Sequence, residues 1–64
     1  MSAHTSRTTG DRIAAIETYA DDAGWHNRIA GAAVPLTRHD SREEAERLGA
    51  EMARQRGGGH RVLA

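Results

Sequence analysis

The chain has 64 residues, no net charge at neutral pH and no cysteine, so it holds at most one small domain, without disulfides, thiolate metal sites or thiol nucleophiles. Nine Arg offset nine acidic residues and there is no Lys, which argues against the uncompensated cations that a sequence-independent grip on nucleic acid requires. Twelve of the 24 apolar residues are Ala, so the core must be thin, and self-association would add to it.

The longest stretch free of charge, residues 29–37, spans nine positions and contains Gly31 and Pro35, far short of the ~20 apolar residues that a membrane-crossing helix needs. No apolar signal-peptide core precedes Gly10, and with no cysteine the expected compartment is the cytoplasm. The preference for Arg over Lys, with abundant Ala and Gly, points to a GC-rich genome such as that of an actinobacterium or its phage.

Residues 1–10 are small and polar and are expected to form a flexible N-terminal tail, leaving residues 11–64 as a single small α+β domain. Asp11 to Ala23 fits two periodicities: Ile13, Ile16, Ala20 and Ala23 make a helical stripe, whereas Ile16, Thr18 and Tyr19 also suit an extended strand from about Ile13 to Tyr19. A turn is expected at Asp21 to Gly24. Trp25 to Ile29 alternates, with Trp25 and Ile29 on one face; Gly31 permits a tight turn, and Val34 to Arg38 alternates again. Pro35 restricts that second arm to an edge or demands a bulge.

The strongest local signal follows. Ser41 with Glu44 three residues later matches a capping box and predicts a helix from about Arg42 to Arg56. Ala45, Leu48, Gly49, Met52 and Arg56 share one face, acids lead and Arg54 and Arg56 close, in the order that complements the helix dipole. Gly57 is expected to end the helix in the left-handed region. Gly49 in mid-helix costs roughly 1 kcal/mol against Ala, so something, a sheet by preference, must approach the helix backbone there. His60 to Leu63 reads as a short terminal strand.

Gly24-Trp25, the turn at Gly31, and Asp40-Ser41-Arg42-Glu43-Glu44-Ala45 leading into Gly49-Ala50-Glu51-Met52-Ala53-Arg54 resemble the bacterial domain of unknown function family 2188 over about residues 13 to 63. The resemblance implies a fold and no catalytic residue: a short strand, a Gly-Trp pair opening a second, a third strand, a Ser- or Thr-capped helix, then a last strand. It tips Asp11 to Ala23 toward strand. The chain departs from the family at Asn27, where a β-branched apolar residue is usual, and in the shortened tail His60 to Ala64. The expected fold class is thus α+β: a three-stranded antiparallel meander, one helix packed on one face, and a short C-terminal strand.

Candidate chemistry is sparse. His4, His26, His39 and His60 lack the spacings that gather metal ligands on one element, and His26 and His39 are expected as polar positions on the open sheet face. His39-Asp40-Ser41 cannot form a triad, because consecutive residues cannot face one another in that geometry. Glu43, Glu44 and Glu46 suit dipole partners better than an acid–base pair, and Gly57 to Gly59 follows a helix, whereas a phosphate loop precedes one. No enzyme activity, cofactor or metal is therefore expected.

The functional expectation is a small protein-interaction module, accessory or phage-encoded, that self-associates as a homodimer and binds through Tyr19, His26, Arg28, Leu36 and Arg38, with Pro35 at the edge. The alternative is a nucleic-acid-binding module on the open sheet face, in which Trp25 stacks on bases and Arg28, Arg38 and Arg61 contact phosphate.

Overall fold

Asp21 starts the architecture. In a computed structural model, which describes residues 13–63, its Oδ1 accepts the N–H of Ala23 at 2.9 Å, closing a tight turn between β1 (Ile16–Asp21) and β2 (Gly24–Ile29). Gly24, at φ +128°, takes a conformation that side chains avoid, and a Cβ there would come within 2.9 Å of the His39 carbonyl oxygen. The turn fixes the antiparallel register: Glu17 opposite Arg28, Thr18 opposite Asn27, Tyr19 opposite His26. Of the two readings of Asp11 to Ala23 the strand holds, over Ile16–Asp21, as the family resemblance implied. It lies later than the expected Ile13 to Tyr19, because Ile13 and Ala14 run beside the glycine loop instead. A Cβ on Gly58 would meet Ile13 Cγ2 at 2.9 Å.

The second arm of the expected Val34 to Arg38 hairpin shrinks to β3 (Thr37–His39), paired antiparallel to β2 with Thr37 opposite Asn27. Pro35 has no N–H to give to a ladder. Leu36 N–H also reaches the Asn27 carbonyl, at 2.7 Å, so Leu36 and Thr37 together meet one residue of β2, the arrangement of a β-bulge.

Helix α1 (Arg42–Arg56) is capped as the sequence predicts: Ser41 Oγ accepts from Glu44 N at 3.1 Å. At the other end Gly57, at φ +79°, donates to the Arg54 carbonyl while Gly58 donates to that of Ala53, a Schellman closure. Its buried line is Ala45, Gly49 and Ala53. The expected stripe ran through Arg56, which is exposed; Ala53 takes that place, because the helix lies so close to the sheet that only small residues at four-residue spacing fit beneath it. Arg42 also pairs with Glu46 one turn on.

The chain finishes in β4 (His60–Val62), parallel to β1, with Ile16 opposite His60. The sheet order is β3-β2-β1-β4, so α1 carries the chain from one edge of the sheet to the other and covers one face on the way. The expected flexible tail, residues 1–10, and His4 lie outside the described residues. No helix among the described residues is long and apolar enough to cross a membrane.

Candidate functional site

Strand alternation divides the side chains between two faces. Trp25, Asn27 and Ile29 turn toward α1: Asn27 Nδ2 donates to the Ala45 carbonyl at 3.0 Å, and the Arg42 guanidinium lies 5.6 Å from the Trp25 ring centre. Glu17, Tyr19, Asp21, His26, Arg28, Arg38 and Arg61 occupy the face that the helix leaves open, each set by the register of its strand.

On the open face a column of side chains is locked by its own contacts. The Tyr19 and His26 rings stack with centroids 5.2 Å apart, and the Arg28 guanidinium sits 4.6 Å from the Tyr19 ring centre. Glu17 ties two strands to a third: its Oε1 accepts from Arg28 Nε at 2.9 Å and its Oε2 from Arg61 Nη2 at 3.0 Å. The Glu17 side chain is 11% exposed, so its charge is held out of water between two guanidiniums. Arg38 donates to the Ala23 carbonyl at 2.7 Å and lies 3.3 Å from Asp40.

His26 is 6% exposed, and its Nε2 meets Asp21 Oδ1 at 2.7 Å. Its Nδ1 is buried without a hydrogen-bond partner. The Asp21 carboxyl is held below its ordinary value of 3.8, first by the His26 hydrogen bond and then by the Ala23 amide.

The covered face is different in kind. Ala45 O can only accept, so Asn27 must present Nδ2 to it and turn Oδ1 toward Thr18. The Thr18 hydroxyl then donates to Oδ1 at 2.6 Å and accepts from His60 Nε2 at 2.8 Å, which fixes a proton on that nitrogen. Asn27 Nδ2 also donates to Thr37 Oγ1 at 3.2 Å, and Thr37 Oγ1 meets His39 Nε2 at 2.9 Å. One chain of hydrogen bonds crosses all four strands beneath the helix. Gly49 is what lets the helix lie over it: a Cβ there would come within 2.7 Å of Thr18 Oγ1 and 2.9 Å of His60 Nε2, and closer still to Asn27 Oδ1.

The structure gathers four of the five expected binding residues, Tyr19, His26, Arg28 and Arg38, on the open face. Leu36 stands apart on the bulge beside β3, 52% exposed, next to Val34 at 72%. Two expectations are corrected. Trp25 does not share a surface with Arg28 and Arg38, because odd and even positions of β2 point oppositely; Tyr19 is the aromatic residue of the open face. His39 belongs to the helix side, where it meets Thr37 and has Glu44 Oε2 3.9 Å away, since it is registered opposite Trp25.

Sequence reasoning missed Glu17 and Asp21, the two anions that organise the face. The signal for both was the tight turn, which places Glu17 opposite Arg28 once it is drawn. Between α1 and β4 an open cleft of about 590 Å³ is lined by Glu43, Glu46, Arg47, Ala50, His60 and Val62. Among the described residues no group of three or more His, Cys, Asp or Glu is placed to hold a metal ion.

No curated protein and no solved structure matches the chain. The profile of a bacterial family described as an uncharacterized protein conserved in bacteria (DUF2188) matches residues 6–63, the greater part of the chain, and the protein belongs to that family.

Proposed function

We propose that the domain is a non-enzymatic protein-interaction module that binds through the open face of its sheet. The observation that carries this reading is that, among the described residues, every arginine on that face is already engaged, Arg28 and Arg61 by Glu17 and Arg38 by the Ala23 carbonyl and Asp40. A phosphate backbone would have to displace these acceptors, and it would meet three guanidiniums set against the three carboxylates of Glu17, Asp21 and Asp40, with no excess of positive charge to draw it. A protein surface meets instead a side-chain layer whose rotamers are fixed before binding, with Tyr and Arg at its centre, the residue types that dominate interface energetics at low ordering cost.

The test uses the full chain, immobilised, with two probes in parallel: bacterial lysate protein to which free copies of this chain have been added, with and without nuclease, and a single-stranded oligonucleotide. Protein capture that survives nuclease and high salt, is lost in Tyr19→Ala and is accompanied by no oligonucleotide binding is the expected result. Oligonucleotide retention that falls by about one log unit per log unit of salt for each phosphate contacted, and disappears in Arg28→Glu/Arg38→Glu, would overturn it in favour of nucleic-acid binding.

A further inference from the structure

We infer that the occupant of the open face is a second copy of this chain, the two copies related by a two-fold axis that runs parallel to the strands between β1 and β2. The inference rests on the reading of that face as the binding surface and names its partner.

Cross-strand neighbours on this face are Glu17 with Arg28 and Tyr19 with His26. A two-fold axis along the strands, midway between β1 and β2, lays β1 of one copy over β2 of the other and keeps each residue at its own height along the strands. Glu17 then lies over Arg28 of the second copy, and Tyr19 over His26 of the second copy, twice over by symmetry. The contact is self-complementary in charge, as an isologous interface requires, and the two Tyr19 rings, each stacked on the nearly buried His26 of its own chain, meet at its centre. The other in-plane axis, across the strands at the height of Tyr19, sets Glu17 over Asp21 of the second copy, carboxylate on carboxylate, and is excluded on charge. Opposed sheets stand about 10 Å apart and cross at a modest angle, and an axis through the Tyr19–His26 pair keeps these central residues aligned through that rotation.

Two further observations say why the face needs a cover. The buried apolar side chains among the described residues are Ile16, Ala45 and Ala53, little for a domain of this size, and the helix shields one side of the sheet alone. Burying charge in an interface is costly chiefly through desolvation, but Glu17 has already lost nearly all its exposure within the single chain, so the added cost falls on the Arg28 and Arg61 guanidiniums, 33% and 60% exposed, which keep Glu17 as a partner. The same operation lays the β3 edge, with Leu36 beside it, over β4 of the second copy, where the Arg61 side chain can cover apolar surface with its stem.

Sedimentation equilibrium of the full chain from about 10 µM to about 500 µM decides the matter. The wild type is expected at dimer mass. Glu17→Arg and Arg28→Glu, each alone, set two cations or two carboxylates over each other at both Glu17–Arg28 contacts and are expected as monomers, while their equimolar mixture returns to dimer mass, because the operation then places opposite charges at both contacts. A wild-type chain that stays monomeric at the highest concentration overturns the inference and leaves the interaction reading to its own binding test. Charge-reversed variants that remain dimeric, or a mixture of folded variants that stays monomeric, overturn it as well. Circular dichroism reports whether both variants keep the helix. If either does not, Tyr19→Arg, which removes no hydrogen bond or ion pair of the fold, serves in their place: a folded monomer upholds the inference and a dimer ends it.

Discussion

The two faces of one four-stranded sheet solve the problem of buried polarity in opposite ways. Beneath the helix the hydrogen bonds run through hydroxyls and an amide: Thr18, Asn27 and Thr37, with the His60 and His39 rings at the ends, link the strands at 2.6 to 3.2 Å. On the open face the groups are charged, and Glu17 is satisfied by two guanidiniums that reach it from neighbouring strands. Hydroxyl and amide groups can be enclosed completely because no Born cost attends them, whereas the nearly enclosed Glu17 carboxylate is offset by the two guanidiniums set against it. The covered face therefore holds the helix in place through geometry, and the open face keeps a rigid, charge-balanced surface for contact.

The comparison breaks most visibly at Gly49. In an ordinary helix Gly→Ala gains about 1 kcal/mol. Here the added methyl meets Thr18, Asn27 and His60 together, and the expected outcome is a loss of about 2–3 kcal/mol from overpacking and broken buried hydrogen bonds. For a domain this small that is a large part of the total. Urea denaturation followed by helix signal measures it; a stabilised variant would show that the helix does not lie on the polar chain.

Asn27 sharpens the same point. Asn27→Leu makes the position apolar but strips Thr18, Thr37 and Ala45 of a partner, at about 2 kcal/mol. Thr18→Val/Asn27→Leu removes donor and acceptor together and is expected to cost clearly less than the sum of the two single changes, since adjacent members of one network do not add. Additive losses in the double-mutant cycle would mean that the groups act independently.

How much of this was legible beforehand follows from which interactions are local. Ser41 and Glu44, and Gly57 with Gly58, speak to neighbours a few residues away, so the helix and both its ends could be read directly. Gly49 announced a close approach by being in the wrong place for a helix. The open face needed one further step: the Asp21-to-Gly24 turn was visible, and a two-residue connection there dictates that Glu17 faces Arg28 and Tyr19 faces His26. Asn27 looked like a departure because its partners, Thr18, Thr37 and Ala45, come from three other elements, and no spacing in the sequence brings these together before the sheet is built. The bulge at Leu36 hid for a similar reason, since Pro35 forbade a regular ladder without saying which residue would be doubled.

Glu17→Gln tests the charged face. Both Arg28 and Arg61 lose their counter-charge, and the half-exposed guanidiniums recover hydration, so the expected loss is about 1 kcal/mol at low salt, smaller than for either change under the helix. Added salt should shrink the difference from wild type, because part of what is lost is screened attraction. Paired urea titrations at low and high ionic strength check this. A loss of equal size at both would place the role of Glu17 in hydrogen-bond geometry and not in charge.

The smallest effect is expected at Asp21, and its dependence on pH identifies it. The His26 hydrogen bond and the Ala23 amide hold the folded carboxyl below its ordinary value of 3.8. The folded state therefore releases this proton at lower pH than the unfolded chain does, and between the two values the unfolded chain binds more protons. By linkage, stability from this group is fully present above about pH 4 and is lost as the pH falls through the folded value. Asp21→Asn keeps an oxygen that can accept from Ala23 but removes the charge, so it should melt slightly below wild type at pH 7 and match it once the wild-type carboxyl is protonated. Because Asp21 is exposed, added salt should narrow the gap at pH 7 as well. Thermal melts of the two proteins from neutral pH down to about pH 3 read this directly. Parallel curves throughout would mean that the Asp21 carboxylate closes the turn by geometry alone, and that the orientation of His26 on the open face is set by the Tyr19 stack.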